Sequence, residues 1–264
     1  MIRVGGLRLG QTLAAAKAAG RKAFVPYVTG GLPSVDPDLL RALASTGADA
    51  IEVGIPFSDP VMDGPVIQEA SRRAVDAGVR PQDVLAVIAE ANLPVPVAVM
   101  TYLNPVLAIG EERFAELAVD AGVTGAIVPD LPVDEADSWV QVAGRASLDT
   151  VFLAAPNTVP ERLARIAAAS GGFVYCVSTF GVTGAREDLS SSAEAVVAAL
   201  RPHTDTPLLV GVGISTPEHA TLACAFADGV VVGTAIVEPL LAGDRDEALR
   251  RTRAFRGAAT PPIG

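Results

Sequence analysis

Short, almost wholly apolar runs recur along this chain, each followed by a stretch of helical periodicity. In the recurring unit a helix ends at glycine or another small residue, a brief polar break follows, and an apolar run begins. The unit is visible at 46–54, 121–130, 170–178 and 227–233. Apolar runs at 24–29, 95–101, 150–155 and 207–213 complete the set and, with 50–54 from the first unit, bring the strand candidates to eight. Helical stretches fall at 37–46, 66–77 with 81–91, 111–121, 133–146, 159–169, 190–201, 216–225 and 245–256. Near-continuous apolar strands separated by helices are parallel strands buried on both faces. Eight such units in 264 residues predict an α/β fold, a (β/α)8 TIM barrel, closed by right-handed crossovers. An open doubly wound sheet is the alternative; the turn after its first strand usually reads G-x-G-x-x-G, and Gly30-Gly31-Leu32-Pro33 does not. Residues 1–22 add a leading helix with a stop at Gly20, and Ser34 is a candidate cap for the helix over 37–46. Nothing reads as a linker, so 1–264 is expected to be one barrel domain.

Composition narrows the partners. Half of the residues are apolar, which supplies a large core, and aromatics make up only 5%, too few for base-stacking surfaces. A net charge of −10 argues against nucleic acid and anionic lipid. It does not argue against an anionic small molecule, because backbone N–H groups and helix ends can hold a phosphate. Cys176 and Cys224 form no C-x-x-C pair and read as reduced, buried side chains, and no run of 18 apolar residues occurs. A cytoplasmic protein without membrane contact is the expectation. His203 and His219 lack metal-ligand spacing, so no metal is expected.

Candidate chemistry gathers in one stretch, residues 51–68. Glu52 interrupts the second apolar run, and burying a carboxylate without partners costs on the order of several kcal/mol. Alternation sets Glu52 opposite Ile51 and Val53, aimed at the barrel mouth; a structural ion pair is the competing reading. Beyond it a loop stiffened by Pro56, Pro60 and Pro65 carries Asp59 and Asp63. Asp63 is either a functional carboxylate or a turn residue, and Asp59 reads as a turn residue. A second constellation, Gly211-Val212-Gly213-Ile214-Ser215 with Gly233-Thr234-Ala235, sits at the ends of strands seven and eight. Barrels often bind phosphate there, and glycine permits close backbone approach. A third, the Gly-punctuated segment over 178–186, suits either a lid or an ordinary flexible loop.

These motifs resemble the tryptophan synthase alpha chain family. The run Glu52-Val53-Gly54-Ile55-Pro56-Phe57-Ser58-Asp59-Pro60, followed by Asp63-Gly64-Pro65-Val66-Ile67-Gln68, is similar to its signature. So are Phe24-Val25-Pro26-Tyr27-Val28-Thr29-Gly30-Gly31, Met100-Thr101-Tyr102-Leu103-Asn104-Pro105, Val128-Pro129-Asp130-Leu131-Pro132, Gly181-Val182-Thr183-Gly184 and Gly211-Val212-Gly213-Ile214-Ser215. The resemblance implies cofactor-free retro-aldol cleavage of indole-3-glycerol phosphate to indole and glyceraldehyde 3-phosphate. It makes Glu52 the general acid/base, protonating indole C3 and taking the proton of the glycerol 3′-hydroxyl, and makes Asp63 the partner of the indole N–H. Phe24, Met100, Tyr102, Ile127, Tyr175 and Val212 would line the substrate pocket. Gly184, Gly213, Gly233 and Thr234 would cradle the phosphate, with Thr183 on a lid over 179–188. The implied partner is a beta chain carrying pyridoxal phosphate, in an alpha-beta-beta-alpha heterotetramer, with Asp59 and the Asn104-Pro105 segment toward it. Two departures bear on lid closure and partner coupling rather than on the reaction. Met62 stands where alanine is common, and Thr179-Phe180 where many members have Arg or Ser. A stand-alone lyase of the same family, a related barrel acting on another sugar phosphate, and a non-catalytic binding partner remain as alternatives.

Overall fold

The computed structural model describes residues 8–177 and 186–260, with the side chains of 186–191 outside the description. Its first half runs α1 (Leu9–Ala18), β1 (Ala23–Thr29), α2 (Pro37–Ala44), β2 (Ile51–Gly54), α3 (Pro65–Asp76), α4 (Pro81–Ala91), β3 (Val97–Met100), α5 (Leu103–Ile109), α6 (Glu111–Asp120) and β4 (Gly125–Ile127). The second half runs α7 (Asp137–Ala146), β5 (Asp149–Ala154), α8 (Pro160–Ala169), β6 (Val174–Cys176), α9 (Arg186–Leu200), β7 (Leu208–Val210), α10 (Pro217–Phe226), β8 (Gly229–Val232), α11 (Thr234–Leu241) and α12 (Arg245–Ala258). All eight strands pair in parallel in sequence order, and β8 closes on β1. The closed (β/α)8 barrel is the expected fold.

Several local expectations are revised. The third and fourth strands are shorter than their apolar runs, ending at Met100 and Ile127; Pro96 and Pro129 bound them, and proline donates nothing to a ladder. The cap of α2 is Asp36, whose carboxylate accepts from Leu39 N at 2.8 Å. Ser34 instead donates its hydroxyl to Leu240 O at 2.8 Å, tying the β1–α2 loop to α11. The single helix expected over 133–146 is a 3-10 turn at Val133–Glu135 followed by α7. Two helices were not anticipated. In α5, Pro105 lies in the first turn, where a missing N–H costs nothing. In α11, Pro239 lies inside a short apolar helix and masks its signal.

The two mouths of the barrel differ. At the N-terminal mouth Leu9 is fully buried, and a Cβ on Gly125 or Gly172 would meet its Cδ2 at 2.4 or 2.8 Å. Three buried carboxylates around that mouth are spent on structure. Asp149 accepts from Arg8 and from Gly10 N, at 2.7 and 2.9 Å. Asp49 accepts from Arg21, from Arg256 and from Phe24 N. Asp228 accepts from Arg201 and from Leu208 N. Such pairing is what a buried carboxylate needs when its role is purely structural.

Candidate active site

Register builds the opposite mouth. Tyr27 of β1 stands beside Glu52 of β2, Met100 beside Ile127, and Leu153 beside Tyr175. These residues share one face of the sheet and point into the barrel, because side chains of neighbouring parallel strands stay in step. Glycine makes room for the larger ones. A Cβ on Gly54 would lie 2.1 Å from the Tyr27 hydroxyl, and one on Gly211 would lie 2.2 Å from that of Tyr175. The result is a cavity of about 280 Å³, enough for one small molecule.

Glu52 lines this cavity at 1% exposure. Neither of its carboxyl oxygens has a hydrogen-bond partner among the described residues. The ion pair that would have made it a structural carboxylate is therefore not present among them, in contrast to Asp49, Asp149 and Asp228. Burial, and then the nearby charge of Asp63, push the Glu52 carboxyl up to about 8.

Asp63 lines the cavity from the loop after β2. Burial pushes it up to about 6, against a hydrogen bond from Tyr102 that pulls it down. Tyr102 donates its hydroxyl to Asp63 Oδ2 at 2.9 Å and accepts from Met62 N at 3.0 Å. Its ring stacks on Phe57, with centroids 5.2 Å apart. The Ser71 hydroxyl of α3 accepts from Phe57 N at 2.8 Å and donates to Phe57 O at 2.9 Å. Gln68 Nε2 donates to Asp63 O at 2.9 Å and to Pro60 O at 3.3 Å. Asp63 is thus held from α3 and from the start of α5, not by the prolines alone.

The far wall is formed by residues 211–215 after β7 and by Gly233 and Thr234 at the start of α11. Gly213 adopts φ +86°, a left-handed conformation that favours glycine. Gly233 is the N-cap of α11, and the first-turn amides of a helix lack intrahelical partners.

Of the residues expected at the site, Glu52, Asp63, Met100, Ile127, Tyr175, Val212, Gly213, Gly233 and Thr234 all line the one cavity. Phe24 does not. It is fully buried on the other face of β1, and Tyr27, three residues on, occupies the position expected for it. Counting alternation back from Tyr27 would have excluded Phe24, but which face of β1 points inward depends on its pairing with Glu52. Tyr102 is not a lining residue either; it stands behind Asp63. Thr183 and Gly184, with most of the proposed lid over 179–188, lie outside the described residues. Leu153 and Val177 line the cavity without having been expected, since as plain aliphatic residues they carry no sequence signal. Asp59 is exposed and accepts from Ser58 Oγ at 2.5 Å, as befits a turn. Asp130 accepts from Leu103 N at 2.8 Å and so fixes the start of α5.

The arrangement pairs a protonated carboxyl at neutral pH with an ionised one across a mainly apolar cavity that ends in backbone amides. That combination can exchange a proton with an apolar ring, balance a cation on it and hold an anion at the far end. Comparison with known proteins identifies the family. A family model described as tryptophan synthase alpha chain matches residues 13–259. The tryptophan synthase alpha chain of Streptomyces avermitilis is 46% identical over 257 residues, covering 96% of this chain and 93% of that one. That of Carboxydothermus hydrogenoformans is 44% identical, covering 88% of each. Among solved structures, tryptophan synthase from Mycobacterium tuberculosis superposes with a TM-score of 0.88 at 39% identity, covering 97% of this chain and 99% of that one. The tryptophan synthase alpha subunit of Legionella pneumophila gives 0.87 at 34%, with the same coverage. With near-complete matches in sequence and fold, and with Glu52 and Asp63 of the signature facing one cavity, this chain belongs to the tryptophan synthase alpha chain family.

Proposed function

We propose that Glu52 moves the protons and Asp63 balances the ring charge in the reaction this cavity carries out. As a family member the chain is a lyase that cleaves indole-3-glycerol phosphate to indole and glyceraldehyde 3-phosphate. The carrying observation is Glu52 itself, buried, unpartnered among the described residues and held protonated at neutral pH. In the proposed sequence, its carboxyl gives a proton to indole C3, and the ring nitrogen becomes cationic. Asp63, ionised, accepts the hydrogen bond of that N–H. The Glu52 carboxylate then takes the proton from the hydroxyl on the carbon bonded to the ring. The C–C electron pair returns to the ring, indole and the aldehyde separate, and Glu52 ends protonated as it began. General acid/base catalysis of this kind contributes roughly a hundred- to ten-thousandfold. Met100, Ile127, Leu153 and Tyr175 supply the apolar seat for the ring, and Gly213, Gly233 and Thr234 the amide-rich seat for the phosphate. Tyr102 acts through Asp63.

The variant Glu52→Gln tests the assignment: it is expected to abolish indole release while still binding substrate. Near-normal turnover in that variant would overturn it.

The family works with a beta chain. Our reading adds that this chain needs no cofactor of its own, that pyridoxal phosphate sits on the beta chain, and that the pair assembles as an alpha-beta-beta-alpha heterotetramer. Val61, 74% exposed on the loop after β2, and Leu107, 57% exposed on α5, support a docking face beside Asp59 and Asn104-Pro105. Adding a beta chain should speed indole release, and an unchanged rate would favour a stand-alone lyase. A cytoplasmic setting is part of the same reading, supported by two buried free cysteines. No described helix is long and apolar enough to cross a membrane.

A further inference from the structure

We infer that His219 is a positioning residue for the substrate phosphate, bracing from outside the cavity the turn that forms its far wall. The inference rests on the phosphate seat proposed above. Thr216 caps α10 and accepts from His219 N at 3.3 Å. The His219 ring reaches back over the same turn, with Nδ1 3.1 Å from Gly213 O, 3.2 Å from Ser215 Oγ and 3.4 Å from Ser215 N. The ring at the third helical position thus reaches back past the capping residue, bonding the two residues on either side of Ile214 rather than the Thr216 amide that the side chain of a capping box would take. With a proton on Nδ1 the ring donates to Gly213 O; without it, the ring accepts from Ser215. In both states it ties down a residue flanking Ile214, and Gly213, Ile214 and Ser215 all line the cavity. His219 itself does not line it. Gly213 holds φ +86°, so this turn has a conformation to lose. A methyl group in place of the imidazole side chain, as in His219→Ala, would leave the turn free to relax, moving the Gly213 amide away from the anion while the two carboxylates stay in place.

The test is steady-state kinetics of indole release, with glycerol 3-phosphate as a competitor. His219→Ala should raise KM about five- to tenfold, the size of one or two lost hydrogen bonds. Inhibition by glycerol 3-phosphate should weaken by the same factor, and kcat should stay within about twofold, because the interaction lost is made equally in ground and transition states. His219→Gln should restore both, since its amide offers one donor and one acceptor to the same groups. Unchanged KM and inhibition in His219→Ala would overturn the inference, as would a fall in kcat at unchanged KM or a failure of His219→Gln to restore binding. If glycerol 3-phosphate does not compete in the wild-type enzyme, the phosphate seat itself is wrong and the inference falls with it.

Discussion

Glu52 and Asp63 lie in one cavity, yet their protons leave at different pH, near 8 and near 6. Burial raises both, and Asp63 is drawn back by the Tyr102 hydroxyl. Catalysis that needs Glu52 protonated and Asp63 ionised therefore has a window between those values. The pH profile of kcat/KM should be bell-shaped, falling below about 6 and above about 8, and a profile flat from pH 5 to 9 would contradict the division of roles. Tyr102→Phe removes the bond that lowers Asp63. The acidic limb should then move to higher pH, with lower kcat/KM at pH 7, while the alkaline limb stays where it is. For Asp63→Asn, loss of the charge facing the ring nitrogen should cost about a hundred- to thousandfold in kcat, the scale of one missing electrostatic stabiliser; a mild effect would reduce Asp63 to a turn residue. What could be read at this scale from sequence was the chemistry of side chains in the wrong company: a carboxylate inside an apolar run, and another in a loop of prolines. What could not be read was Tyr102, because a tyrosine that tethers a carboxylate looks like any other before the two are brought together.

At the scale of elements, glycines opposite tyrosines set how the upper layer of the barrel packs. Gly54→Ala would place a methyl 2.1 Å from the Tyr27 hydroxyl, and overpacking of this kind typically costs about 1–3 kcal/mol. A lower melting temperature is expected, partly recovered in Gly54→Ala/Tyr27→Phe because the second change removes the nearest atom. An unaltered melting temperature in the single variant would mean that the layer is not packed as described. Strand and helix order was legible because β-branched apolar runs and glycine stops recur so regularly. The misplaced features have local causes. Prolines hid α5 and α11, a 3-10 turn split the helix expected over 133–146, and Asp36 won the cap from Ser34 because its carboxylate lies three residues before the Leu39 amide. The inward face of β1 could not be assigned from β1 alone, which is why Phe24 stood where Tyr27 belongs.

The whole molecule separates stability from activity between its two mouths. The buried carboxylates Asp49, Asp149 and Asp228 at the N-terminal mouth are paired with arginine; among the described residues, Glu52 and Asp63 at the cavity mouth are not. The two groups therefore link folding to pH in opposite directions. For Asp228, burial raises the carboxyl but the Arg201 and Leu208 contacts outweigh it and hold it below the ordinary range, so its stabilisation is present at neutral pH and lost as pH falls. Glu52 is raised from an ordinary 4.5 to about 8; the folded protein holds its proton where the unfolded chain releases it. Its contribution is full below about 4.5 and is lost as pH climbs through about 8. Glu52→Gln, which cannot ionise, should accordingly gain stability over wild type as pH rises from 5 to 8, by up to a few kcal/mol. Thermal melts of both proteins across that range would show it, and a constant difference would mean that Glu52 is not buried in its charged form at high pH.

By itself, the sequence determined the repeating βα order, the closed barrel, the family and the two carboxylates, because periodicity, composition and motif are properties of neighbours along the chain. Only the tertiary structure decided which residues face one another. Strand register set Tyr27 rather than Phe24 beside Glu52, the folding of the loop after β2 onto α3 and α5 placed Tyr102 behind Asp63, and the turn before α10 brought His219 back to Gly213. Each of these is a contact across the fold, fixed by side-chain direction and by hydrogen bonds that form only once distant segments have packed.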